Sequence, residues 1–443
     1  MINLFDNYQE ASRDLHQSLM SAGYNQLTVV VNENGFLPDN VTSPFAYFTE
    51  MYETEGKPLY FNQVLRPDYW EVRGTNSEAT IYDENIKRAN IIYEPTMLNQ
   101  RIVQRVEWLD TNNNIRSVDY YNKKGWRYAQ TSYNLGFQPT MTSYYNQDGQ
   151  EVIVENYTTK DIILNIQKKV IIFQSRITFI NYFLKQFVGK IDRIIYNSLS
   201  VPFLVSYNMS EPGDDILFWQ EKISENGELP GNMVALLEQD GRTKKIIIQD
   251  EAQYKLIINT HPDLADAFEY AGIIYPIKHK TVSSANSNAL VLTNSDQIEQ
   301  LEQLVIGLPQ VDFYVAALTE MSAKLTKMSE YRNVRLYPNV NYEQVDRLLQ
   351  LSDFYVDINH GSEILAGVRQ AFLNDLLILS FENTIHNQQF ISKEMVYKND
   401  QVLQMIETIK QCVDDKDYTH LLLDKQHQHS NQSSIDTYKT ILG

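Results

Sequence analysis

The sequence predicts an α/β protein: two Rossmann-like domains, each a doubly wound parallel sheet, with an antiparallel β-sheet domain inserted in the first. Three observations carry this. Short apolar runs alternate with helix-length amphipathic segments on both sides of residues 57–158, and that alternation builds parallel sheets. Within 57–158 the texture changes to strict apolar/polar alternation, broken by turn sequences such as Asn122-Lys123-Lys124-Gly125 and Asn146-Gln147-Asp148-Gly149. That is the pattern of an antiparallel meander of about eight strands. Finally, at 443 residues the chain is too long for one core.

Taken in order, an amphipathic helix is expected over residues 8–22, ended by Gly23, then a buried strand over 27–31. Residues 1–56 form the first part of the first domain. The meander follows over 57–158, rich in Tyr and Trp. The α/β pattern resumes over 159–276, with strands expected at 169–173, 191–196, 202–206, 215–219 and 244–249 and a helix over 175–187. Residues 275–288, with a Pro and several Ser and Asn, mark the boundary of a second domain over 277–424. Its strands are expected at 289–292, 311–316 and 334–337, and its helices at 295–305, 319–328, 342–351 and 400–413. Residues 425–443 read as a polar tail; the His spacing in HQHSNQSS lacks supporting carboxylates or thiols, which favours a solvated segment over a metal site.

The stretch most suggestive of a ligand site is DFYVDINHGSEILAGVRQAFLNDLLILSFENT, residues 353–384. Residues 354–358 have strand length, Asn359-His360-Gly361 turns the chain, and Ser362 is placed to cap a helix. Ile364, Leu365, Val368, Ala371 and Phe372 then share one helical face, before a second buried strand over 376–381. Open parallel sheets bind ligands where such strands end and helices begin.

Composition narrows the functions. A formal charge of −18 argues against nucleic acid or an anionic membrane as the main partner. One cysteine, Cys412, allows no intramolecular disulfide, in keeping with a reducing cytoplasm. MINLFDNYQEASRDLHQSL has neither the basic start nor the apolar run of a secretory signal, and no apolar run reaches membrane-spanning length. A cytoplasmic protein is expected, with any membrane attachment peripheral and through a partner.

The order VRLYPNV, YEQVDRLLQLSDFYVDIN, HGSEILAGVRQAF, LNDLLILSFENT resembles the second domain of retaining GT-B glycosyltransferases. That resemblance implies a Glu in the turn and a second Glu eight residues later. Ser362 and Gln370 stand at those positions. It also implies a basic clamp after the first strand of the second domain, whereas that loop is Thr293-Asn294-Ser295-Asp296 and no Lys or Arg occurs from 281 to 323. Transfer from a nucleotide sugar needs the leaving diphosphate neutralised, so the donor site reads as degraded, with no catalytic residue, metal or cofactor. His360, Gly361 and Glu363 remain as residual cleft candidates.

With a meander between GFLPDNVTSPFAYF and DILFWQEKISENGELPGNM, the chain resembles the GtfA–GtfB pair that glycosylates serine-rich repeat adhesins in the accessory Sec system, and in particular its non-catalytic member. The resemblance implies a catalytic partner, GtfA, that uses UDP-GlcNAc to add a first GlcNAc, and a serine-rich repeat acceptor polypeptide. The meander is the expected acceptor platform, because Tyr and Trp offer rigid amphipathic contact area and strand edges offer backbone hydrogen bonds. Candidate contacts are Tyr120, Tyr121, Trp126, Arg127, Tyr128, Tyr133, Tyr144 and Tyr145. Alternation alone leaves open whether each faces a core or a ligand. Two other readings compete: an active retaining transferase using Glu363, and a carbohydrate-binding module suggested by NKKGWRYAQTSYN.

Overall fold

Among the described residues, three sheets organise the chain. The computed structural model describes residues 1–75, 77–239, 241–278 and 287–443, which divide into two units, Met1–Ala271 and Gly272–Gly443.

Unit 1 starts with β1 (Ile2–Phe5), β2 (Thr28–Val30) and β3 (Val41–Thr42). Ten strands of another sheet follow in the chain: β4 (Glu71–Gly74), β5 (Glu78–Asp83), β6 (Ile86–Tyr93), β7 (Val103–Leu109), β8 (Ile115–Tyr121), β9 (Arg127–Tyr133), β10 (Pro139–Tyr145), β11 (Glu151–Asn156), β12 (Ile162–Ile166) and β13 (Lys169–Phe173). The first sheet then resumes with β14 (Ile194–Tyr196), β15 (Asp215–Trp219), β16 (Thr243–Ile248) and β17 (Phe268–Tyr270). Its order is β17-β16-β15-β14-β1-β2-β3, all parallel. Each meander strand pairs antiparallel with its sequence neighbours.

Several expectations change here. The chain opens with a strand, not the helix; Ile2–Phe5 is wholly buried at the centre of the sheet and too short to show a period. Residues 202–206 lie in the helix Val201–Tyr207, where Pro202 suits a first turn; a short apolar run does not distinguish strand from helix. The meander has ten strands, not eight, so the α/β pattern returns after residue 173 rather than at 159. A strand is expected at 169–173, but its pairing with β12 gives no signal, because the turn between them, Gln167-Lys168, has no glycine although φ is 49° and 63°.

The meander leans on the parallel sheet through one of its faces. Opposed residues in a ladder share a face, and one such row crosses six strands: Tyr120, Ala129, Tyr144, Ile153, Leu164 and Ile171. Most of that row joins Ile2, Leu4, Phe45, Phe179 and Phe183 in one core, with Tyr144 stacked on Phe45 at 4.2 Å between centroids. A second, smaller core holds Val64, Ile81, Ile91, Tyr93, Val103 and Val106.

Polar latches fix the same junction. Arg176 grips Glu155 of β11 through Nη2 at 2.6 Å and Nε at 3.0 Å. Glu33, half-buried just past β2, accepts from Ser43 Oγ at 2.5 Å, Tyr52 Oη at 2.6 Å and the Gly35 N–H at 2.7 Å. Burial pushes its carboxyl pKa up, against the pull of those hydrogen bonds. At the opposite ends of the strands, Arg242 meets Asp215 in a fully buried bidentate pair at 2.9 Å and 2.9 Å.

Unit 2 comprises β18 (Ser287–Thr293), β19 (Val311–Ala317), β20 (Val334–Tyr337), β21 (Phe354–Asp357), β22 (Leu377–Phe381) and β23 (Val396–Tyr397). Their order, β20-β19-β18-β21-β22-β23 and all parallel, is that of a dinucleotide-binding sheet. The helix expected from Ser362 starts later, as Gly367–Leu373, after Leu365 and Ala366 at φ 56° and 49°. Ser362 is therefore not its cap. The helices expected at 295–305 and 319–328 are shorter, Leu301–Gly307 and Ala323–Thr326.

The expected polar tail is instead structure: helices Lys416–His429 and Ile435–Leu442. Gln426, wholly buried, accepts from the Ile378 N–H at 2.9 Å and donates to the Leu376 carbonyl at 2.9 Å. A polar residue doing a core task hides the helix from a hydropathy pattern.

Candidate functional site

The strand order of unit 2 reverses between β18 and β21, so the crevice over their carboxyl ends is where such a sheet receives a ligand. The loops after those two strands are bonded to each other. Thr293 Oγ1 donates to Asn359 Oδ1 at 2.9 Å, Asn359 Nδ2 to Asn294 Oδ1 at 3.1 Å, and Asn294 Nδ2 to Ser362 Oγ at 3.0 Å. The His360 N–H donates to the Gln297 carbonyl at 3.0 Å, and the Glu299 N–H to that of Ile358 at 2.8 Å. Gly361 lets the loops come this close, since a Cβ there would lie 1.8 Å from Asn294 Oδ1.

The residual cleft candidates are absorbed in the same way. His360 Nε2 lies 2.8 Å from Glu299 Oε2, which also accepts from Asn383 Nδ2 at 3.0 Å. Glu363 Oε1 accepts from the Val368 N–H at 2.9 Å, in the first turn of the helix Gly367–Leu373. Gln370 sits half-buried on that helix.

Sequence reasoning missed the group at the centre. His386, two residues beyond the stretch singled out, places Nδ1 2.6 Å from Asp357 Oδ1 and Nε2 2.7 Å from the Gly361 carbonyl. Its backbone N–H donates to Asp357 Oδ2 at 2.9 Å. Acceptors on both ring nitrogens are satisfied together only by the imidazolium. The hydrogen bond to Asp357, opposed by burial and helped by Gly361, raises its pKa to about 9. The signal available was positional: a histidine shortly after β22, the strand next to β21.

In the meander the eight aromatic and basic candidates separate. Tyr121, Tyr128 and Tyr144 are buried in cores, which corrects their reading as contacts. Trp126 is half-buried and donates from Nε1 to Thr54 Oγ1 at 3.2 Å. Tyr120 and Tyr133 are both half-buried. On the opposite face the Arg127 guanidinium lies 4.9 Å from the Tyr145 ring centre and 3.2 Å from Asp119 Oδ1. Among the described residues no cluster suits a metal ion, and no helix is long and apolar enough to cross a membrane.

Two parallel sheets, the second with a dinucleotide-type switch point, define an α/β scaffold of the GT-B-like glycosyltransferase class. The pneumococcal O-GlcNAc transferase GtfA in complex with UDP and GlcNAc shares that fold, with a TM-score of 0.51 at 14% identity over 100% of this chain and 98% of that one. Models of the GtfB N-terminal, middle and third domains match residues 2–48, 70–174 and 176–259, and the GftB/GlyA-F C-terminal domain matches 289–426. The UDP-N-acetylglucosamine--peptide N-acetylglucosaminyltransferase stabilizing protein GtfB of Streptococcus agalactiae is 42% identical over 100% of this chain and 99% of its own length. A chain in the crystal structure of a GtfA/B complex bound to UDP and GlcNAc is 41% identical, covering 100% of this chain and 99% of that one, with a TM-score of 0.93. The chain belongs to the GtfB stabilizing-protein family.

Proposed function

We propose that this chain is a non-catalytic subunit that stabilises a separate O-GlcNAc transferase, GtfA, and holds the serine-rich repeat acceptor while that partner adds the first GlcNAc from UDP-GlcNAc. The observation that carries the reading is the self-bonded switch point of unit 2. Asn294, Asn359 and Ser362 bind one another where a nucleotide sugar would need room, and Glu363 is committed to the helix start. Acceptor recognition falls to the antiparallel sheet, an inserted module of the first Rossmann-like domain, through Tyr120 and Tyr133 on one face or Arg127 and Tyr145 on the other. The complex works in the cytoplasm, and any membrane contact is peripheral and made by partners.

The test is turnover. The isolated chain should neither hydrolyse UDP-GlcNAc nor glycosylate a serine-rich peptide, and adding the catalytic subunit should produce transfer. Turnover by the chain alone, abolished by Glu363→Gln, would overturn the proposal.

A further inference from the structure

Two stretches of the chain carry the same tripeptide, Glu33-Asn34-Gly35 and Glu225-Asn226-Gly227. An asparagine followed by glycine is open to one internal reaction, because no Cβ shields the next backbone nitrogen from the side-chain amide carbon. The fold treats the two copies differently.

At the first copy, in the loop after β2, the Gly35 N–H donates to Glu33 Oε1 at 2.7 Å. That oxygen also accepts from Tyr52 Oη at 2.6 Å and the Asn34 N–H at 3.1 Å. Asn34 Oδ1 accepts from the Phe36 N–H at 2.8 Å. A carboxylate thus faces the nitrogen that would attack, and a fixed N–H faces the oxygen that would gain charge, the two aids that acyl transfer needs. Asn34 is exposed, so ammonia can leave and water can enter. At the second copy Glu225 and Asn226 are exposed, and the Gly227 N–H donates to the Ser224 carbonyl at 2.8 Å. Asn226 Oδ1 accepts from Ser224 Oγ at 2.6 Å. Both amide oxygens therefore have a donor, but only the Gly35 nitrogen is held against a base.

We propose that Asn34 is a self-modification site, converted by its own loop to an aspartyl or isoaspartyl residue with Glu33 as general base. Glu33 Oε1 takes the Gly35 amide proton as that nitrogen attacks Asn34 Cγ. The new C–N bond closes a succinimide ring, the Cγ–Nδ2 bond breaks, and the proton leaves with the departing nitrogen as ammonia. Water then adds to one ring carbonyl or the other, and ring opening gives aspartate or isoaspartate. The product alters a junction. The Gly35 carbonyl accepts from the Lys123 N–H at 2.8 Å, in the turn between β8 and β9, and a Cβ on Gly35 would lie 2.6 Å from the Tyr121 carbonyl oxygen. An isoaspartyl link adds a backbone carbon just ahead of that close contact, and either product sets a new carboxylate beside Glu33. Conversion is a one-way change where the antiparallel sheet is fastened to the first domain.

The test incubates the full chain in neutral buffer and follows both tripeptides by peptide mapping with mass spectrometry. In the folded protein Asn34 should convert at least about tenfold faster than Asn226, whereas in denaturant, where only the shared tripeptide acts, the two should convert at similar rates. Glu33→Gln keeps the size of the side chain and an acceptor for the Gly35 N–H, and it should abolish the folded excess. Conversion of Asn34 no faster than that of Asn226 in the folded chain would overturn the proposal. So would a folded excess that survives Glu33→Gln, which would make loop exposure rather than the carboxylate responsible. Should thermal melting show that Glu33→Gln unfolds, Tyr52→Phe decides: it frees Glu33 Oε1 of one donor and should speed conversion of Asn34, and an unchanged or slower rate in that folded variant sinks the base assignment.

Discussion

The two parallel sheets share a plan and differ in what was done with it. In each, the strand order reverses beside the unit's first strand, at β1/β14 in unit 1 and at β18/β21 in unit 2. In unit 2 the third and fourth strands are joined across the single helix Tyr342–Leu351, while in unit 1 ten extra strands intervene. Unit 1 has invested its connection in a new surface. Unit 2 keeps its simple connection and ties the loops at its switch point to each other through its own asparagines and an imidazolium. The lesson is that the polar groups at a switch point stay ordered where internal partners take them up.

The sharpest way to break the comparison is to remove one member of each unit's buried ion pair. Asp215→Ala strands Arg242 in unit 1, and Asp357→Ala strands His386 in unit 2. Each should cost about 3–5 kcal/mol, read by denaturant unfolding, with the loss confined to the unit that carries the change. Equal loss at both transitions would mean the units are not independent.

pH separates them next. His386 has a folded pKa raised to about 9, above the ordinary 6.5, so its contribution is fully present below pH 6.5 and is lost as pH rises through 9. The pair contributes roughly 3 kcal/mol at the low end. Unit 2 should therefore soften between these values, and His386→Gln should flatten the profile.

A smaller effect concerns the sheet. Arg127→Ala or Tyr145→Ala should weaken acceptor-peptide binding by about 1–2 kcal/mol with little change in melting, because both lie on the face away from the main core. If Tyr120→Phe or Tyr133→Phe weakens binding instead, the acceptor lies on the other face. Smallest of all, Ser362→Ala removes one exposed hydrogen bond and should shift stability by less than about 0.5 kcal/mol.

Much of this was legible in the sequence. Alternation marked the meander, and the carboxylate-free positions Ser362 and Gln370 and the clamp-free loop 293–296 drew attention to the switch point of unit 2. What was not legible has specific causes. β12 and β13 are joined without a glycine, so their turn gave no signal. The late start of the helix Gly367–Leu373 depends on left-handed Leu365 and Ala366, residues that give no hint of that conformation. His386 gains its meaning only from Asp357, 29 positions earlier. Tyr121, Tyr128 and Tyr144 alternate like contact residues, but the parallel sheet and its loops supply the core that buries Tyr128 and Tyr144, and the meander's own small core buries Tyr121.

The fastening of residues 416–442 has a consequence for synthesis. Ile273 bridges Gln432, Tyr275 Oη donates to the Ser430 carbonyl at 3.1 Å, and Tyr438 Oη donates to the Gly272 carbonyl at 2.8 Å. The first residues of unit 2 are thus clasped by the last, and β22 is completed by Gln426. On the ribosome, unit 1 has all its strands long before unit 2 has its clasp. A nascent chain stalled near residue 415 would present a finished unit 1 beside a second sheet whose Ile378 amide is still waiting for its acceptor.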